Sequence, residues 1–182
     1  MSSERALLIL GLGNVLCSDD GLGITILSRL DRDYVAPPGV ELMDGGTLGL
    51  SLLPELESSP RVILIDAVNE NAPPGTFVRL EGTDVLPAVR ERLSPHQIGV
   101  ADLMDAMRLR RTTPRQIVLL GLVPKSLEMG IGCTPPVLAG LGRLTDAVIE
   151  EATRMGYALM SRRRRNEGTG LGIGPAADVL GL

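Results

Sequence analysis

Gly11-Leu-Gly-Asn-Val-Leu-Cys-Ser-Asp-Asp-Gly-Leu-Gly23 follows an apolar run, Ala6–Leu10, and precedes a helical pattern that begins near Gly21. Strand, glycine turn, polar loop and helix is the layout that sets loop side chains at the carboxyl edge of an open α/β sheet, where such sheets bind ligands. Two adjacent acids, Asp19 and Asp20, stand in that loop. A helix start favours acids through its dipole, but it has one N-cap position. Asp19 is therefore expected to cap the helix and Asp20 to face a ligand.

Working outward, further apolar runs at 40–43, 61–68, 76–80 and 115–120 read as strands. Several are apolar throughout, as strands covered on both faces must be. Helical patterns lie between them at 21–31, at 48–58 with a bend or restart at Pro54, and at 98–109. A last helix opens at Thr134-Pro135-Pro136, an N-cap followed by proline, and stacks Val137, Leu141, Leu144, Val148 and Met155. Alternation of this kind predicts a three-layer α/β/α sandwich with a mostly parallel, twisted sheet of about five strands. Residues 1–160 read as a single domain. Residues 161–182 read as an Arg-rich, then Gly-rich tail, in which alternating glycine is costly to order.

Composition narrows the function classes. The chain has 182 residues, 44% of them hydrophobic, and a net charge of −4. Four of its 18 basic residues sit at Arg162–Arg165, so the rest of the chain carries 14 basic against 22 acidic residues, a net −8. An acidic body with Tyr34, Phe77 and Tyr157 as its only aromatics argues against nucleic acid as a partner. No apolar run approaches the ~20 residues that span a bilayer. The N-terminal residues lack the pattern of a signal peptide, so a cytoplasmic location is expected. Cys17 and Cys133 have no metal-type spacing and read as small apolar residues, with a ligand role for Cys17 as the alternative.

His96 is the single histidine. That count excludes a His-Glu-x-x-His zinc site and a two-histidine finger. No serine stands in a Gly-x-Ser-x-Gly elbow that would make His96 the base of a triad. Following Ser94-Pro95 and preceding a helical face, its ring is expected to be neutral, free to donate a lone pair to a metal or simply to cap the helix. Asp66 ends the run Val62–Ile65, where an acid is costly unless paired, hydrogen-bonded or metal-bound. Asp44, before Gly45-Gly46-Thr47, either lines the same edge or caps the helix near Leu48. Asp20, Asp66 and His96 offer two oxygens and a nitrogen from three loops, a set that suits a borderline divalent ion with open positions. Metal-assisted hydrolysis is the natural reaction class, and with His96 as ligand any general base must be a carboxylate. A dinucleotide site fits less well: the third glycine position is Leu16, and two acids follow where pyrophosphate would sit.

Five stretches in order carry a resemblance to the hydrogenase maturation proteases. They are Leu10–Gly23, Asp44-Gly-Gly-Thr-Leu-Gly49, Val62-Ile-Leu-Ile-Asp-Ala-Val68, Ser94-Pro-His-Gln-Ile-Gly99, and Gly121-Leu-Val-Pro124 with Glu128. The resemblance spans roughly residues 6–157. It implies an endopeptidase that removes a C-terminal peptide from the nickel-loaded large-subunit precursor of a nickel–iron hydrogenase. It also implies that Asp20, Asp66 and His96 recognise nickel and share in catalysis, the ion being supplied by the substrate rather than held as a resident cofactor. The enzyme would be carboxylate-dependent, of aspartic rather than serine, cysteine or zinc type, and a monomer is compatible with the pattern. The chain differs from the family pattern at Val123, where many members carry glutamine, and in its tail. A non-catalytic, metal-sensing chaperone of the precursor would use the same residues, and a nucleotide-binding α/β protein, resting on Gly11-x-Gly13 and Asp44, is the third class.

Overall fold

A computed structural model describes residues 5–85 and 105–162. Strand β1 (Leu7–Leu12) leads into helix α1 (Leu22–Asp33), and the two-residue β2 (Tyr34–Val35) precedes β3 (Val40–Gly46). Helix α2 (Leu53–Glu57) follows a 3-10 turn at Gly49–Leu52, so the restart expected at Pro54 is present. Then come β4 (Arg61–Ala67), β5 (Phe77–Glu81), β6 (Gln116–Leu122), the long helix α3 (Pro135–Arg154) and β7 (Met160–Ser161). Residues 105–110 are helical. The rest of the helix expected at 98–109, His96 and the tail from residue 163 lie outside the described residues.

The five-stranded sheet has the order β3-β1-β4-β6-β5. Its first three pairings are parallel, and β5 runs antiparallel to β6 along the edge. All six residues of β1 are buried, and so are six of the seven in β4 and in β6. Strands buried on both faces need apolar side chains in both alternating sets. Leu7 and Ile9 join Ile63, Ile65, Val118 and Leu120 under α1 and α3. Leu8, Leu10, Val62, Leu64 and Leu119 pack with Leu52 and Leu56 from the α2 side and with Val85 and Met107. The three-layer sandwich thus follows from two apolar sets on each central strand.

Both long helices bury the faces their spacing marks. Leu22, Ile26, Leu27 and Leu30 are buried on α1; Val137, Leu141, Leu144 and Val148 are buried on α3. Gly23 brings α1 down onto the sheet, because a Cβ there would collide with the carbonyls of Leu12 and Ile65. At the far edge Glu151, 1% exposed on α3, accepts from Arg79 Nε at 2.9 Å and Nη2 at 3.1 Å, tying β5 to the helix. That bond raises the Arg79 pKa above its already high ordinary value. Two elements escape the sequence pattern: β2 pairs antiparallel with β7. Two-residue strands are too short to show a period. Among the described residues no helix is long and apolar enough to cross a membrane.

Candidate functional site

The strand order places a topological switch between β1 and β4. The connection leaving β1 runs through α1 to β3 on one side, and the connection from β3 returns through α2 to β4 on the other. Loops diverge at such a point and leave a crevice beyond the carboxyl ends of the strands. Asp20 lies on the turn that leaves β1, and Asp66 stands near the end of β4. Gly11 pairs with Ile65, so Asp66 stands level with the last residue of β1. The turn at Ser18–Gly21 packs against β4, and Gly23, just beyond it, rests on Leu12 and Ile65. The structure therefore brings the two acids to one boundary of the sheet.

Both acids are buried, Asp20 at 6% exposure and Asp66 at 4%. Asp20 Oδ2 accepts from Asn14 N at 2.8 Å. The loop can fold back that closely because Gly13 has φ +112, and a Cβ there would strike the Asp20 carbonyl. Asp66 Oδ1 accepts from Ala67 N at 2.8 Å. Strand alternation sends the Asp66 side chain to the face of Leu64 and Val68. Val85 and Met107, on the described stretches either side of the segment that contains His96, pack on that same face. His96 itself lies outside the described residues. Among the described residues no group of three or more His, Cys, Asp or Glu could hold a metal ion, so the expected trio is represented here by its two carboxylates.

Asp19 does something else. It does not cap α1, whose N-cap position is Gly21 and which has no side-chain cap bond. Its carboxylate, 0% exposed, accepts from Lys125 N at 2.8 Å, Ser126 N at 3.1 Å, Thr134 N at 2.6 Å and Thr134 Oγ1 at 2.9 Å. Thr134 occupies the N-cap position of α3 as expected, but its hydroxyl serves Asp19 rather than its own helix. Four donors meet the cost of burying the charge. The clasp extends along the loop: Ser18 N donates to Gly130 O at 2.8 Å, Gly130 N to Leu16 O at 2.9 Å, and Ser18 Oγ to Glu128 O at 3.0 Å. These bonds hold Ser18 at φ 49, a conformation that is strained for a residue with a Cβ. Half-buried Cys133 lies nearby; burial first, and then the Asp19 charge, push its thiol pKa up.

Of the two alternatives for Asp44, the helix cap is not the one formed. Asp44 Oδ1 accepts from Gly46 N at 2.9 Å and closes a local turn, and Leu48, the N-cap of the next turn, has no side-chain cap bond. With Gly13, Asn14 and Thr47 it lines a cleft of about 220 Å³ beside the Asp20 loop. A larger cavity, about 430 Å³, opens near Arg108, Arg115 and Gln116 at the amino end of β6. It sits at the edge opposite to the one where α/β sheets bind ligands. The sequence reading missed the partners of Asp19, although Gly121–Pro124 had marked the neighbourhood of that loop.

Comparison with known proteins gives the family and the fold. The family model described as hydrogenase maturation protease matches residues 24–151. The hydrogenase 2 maturation protease of Escherichia coli strain K12 is 35% identical over 157 residues, covering 86% of this chain and 96% of that protein. The hydrogenase expression/formation protein HupD of Rhodobacter capsulatus is 39% identical over 153 residues, covering 83% of this chain and 70% of its own length. Among solved structures, the hydrogenase maturating endopeptidase HybD from E. coli superposes with a TM-score of 0.83 at 34% identity, covering 87% of this chain and 99% of that one.

Proposed function

The chain belongs to the hydrogenase maturation protease family, and from that premise we propose how its residues divide the work. It is an endopeptidase. Its substrate is the large-subunit precursor of a nickel–iron hydrogenase, from which it removes a C-terminal peptide once nickel is in place. Asp20, Asp66 and His96 recognise the nickel carried by that substrate. Two oxygens and one imidazole nitrogen suit a borderline divalent ion and leave positions for the ligands the precursor already supplies.

Hydrolysis adds a water oxygen to the scissile carbonyl carbon, breaks the C–N bond and delivers a proton to the leaving nitrogen. His96 spends its lone pair on the nickel, so a carboxylate oxygen of Asp20 or Asp66 that does not bind the metal takes the proton from water and returns it to the amine. This makes the enzyme carboxylate-dependent, acting on a substrate that supplies its own metal. Action in the cytoplasm fits a chain with no disulfide framework, and the chaperone and nucleotide-binding readings have no observation in their favour.

The observation that supports the reading is the placement of two buried carboxylates, Asp20 and Asp66, on elements that border the β1–β4 switch point. The test is to incubate the protein with nickel-loaded and nickel-free precursor and follow the loss of mass. Only the loaded form should be shortened, and His96→Ala should leave it intact. Equal processing of both forms would defeat the nickel gate; full activity of His96→Ala would defeat the site.

A further inference from the structure

The loop that clasps the Asp20 turn carries apolar side chains in water. Met129 is 87% exposed, Ile131 93% and Leu127 41%; on the facing loop Leu16 is 56% exposed and Val15 49%. They form a ridge because the two loops are zipped together. Cys17 bridges Gly130 in parallel, Gly130 N donates to Leu16 O, and Ser18 N donates to Gly130 O. That register sets Leu16 beside Met129. The ridge is also held from beneath, where Asp19 binds both ends of the loop through Lys125, Ser126 and Thr134. The hydrogen-bonded backbone of the ridge is already ordered, so covering it costs side-chain freedom but little backbone freedom, and this favours affinity. Scattered exposed apolar residues need no explanation, but a contiguous set marks an interaction surface.

We propose that this ridge, Leu16 with Met129 and Ile131, is the docking surface for the folded body of the precursor, as distinct from the peptide that is cut. The proposal rests on the function given above, and the occupant follows from continuity. Leu16 and Asp20 share one short loop, so the ridge of Leu16 and its neighbour Met129 is continuous with the surface around the proposed site. A specific protein complex covers roughly 800 Å² on each partner. Asp20 itself is only 6% exposed, so that area comes from the surface around it, and the ridge is an apolar part of that surface.

The test measures both binding and cleavage of the nickel-loaded precursor by the full chain and by Met129→Asp/Ile131→Asp, with Leu16→Asp as a second variant on the facing loop. Binding should weaken about tenfold or more in each, KM should rise with kcat retained, and the thermal midpoint should hold. If the wild type cuts the precursor and the variants bind and cut it equally well, the ridge proposal fails while the function stands. If the wild type binds without cutting and the variants bind more weakly, the ridge stands and the protease reading fails. A change confined to self-association of this chain, or to contact with its own residues 163–182, would overturn the precursor as occupant.

Discussion

Asp19 and Asp20 are sequence neighbours, both buried, yet they serve different regions of the molecule. Asp19 looks into the loop between β6 and α3 and is enclosed by four donors. Asp20 stays with its own loop, accepting from Asn14 N, on the turn that packs against β4, the strand that carries Asp66. The 3-10 turn makes the split: at three residues per turn, adjacent side chains leave about 120° apart. Two acids in one loop therefore need not form one site. Burial alone does not tell a structural carboxylate from a working one; the groups it faces do.

Chemistry should break first at the switch point. Asp66→Asn keeps the shape and an acceptor for Ala67 N but loses the charge and the proton acceptor. Processing of nickel-loaded precursor should fall on the order of a thousandfold with the unfolding midpoint little changed, read by mass spectrometry and a thermal melt. The reverse pattern, a large loss of stability with activity kept per folded molecule, would make Asp66 structural. Asp19→Ala should show that reverse pattern. Removing an acceptor that serves four donors should cost about 3–5 kcal/mol in urea unfolding; a loss below about 1 kcal/mol would deny the clasp.

Smaller effects sharpen the contrast. Thr134→Val removes one hydroxyl donor from Asp19 and leaves the backbone donor, so about 1 kcal/mol is expected in the same unfolding measurement. The Cys133 thiol is held up first by burial and then by the Asp19 charge. Asp19→Asn removes the second cause, which lowers the thiol pKa and raises the thiolate fraction near pH 8. Alkylation of Cys133 should therefore quicken roughly two- to fivefold. An unchanged rate would place Cys133 outside the reach of that charge.

What could be read from the sequence follows from the range of each signal. The buried strands were legible because Leu7–Leu10 and Val62–Ile65 are apolar at both parities, and the helices because Val137, Leu141, Leu144 and Val148 recur at three-and-four spacing. The edge placement of Asp20 and Asp66 came with the β/α order. The partners of Asp19 lie 106 to 115 residues away, and no local pattern announces a bond of that span. Asp44 preceding Gly45-Gly46 suits a turn as well as a helix cap, and the backbone chose the turn. The pairing of β2 with β7 is two residues long and leaves no periodic trace.

The division between the two neighbouring acids meets its most direct test in Asp20→Asn, which keeps an acceptor for Asn14 N while removing the charge. Its initial rate on nickel-loaded precursor should be compared with that of the wild type at equal folded fraction. The account predicts a normally folded protein that leaves the precursor at full length. Processing by Asp20→Asn at the wild-type rate would contradict it.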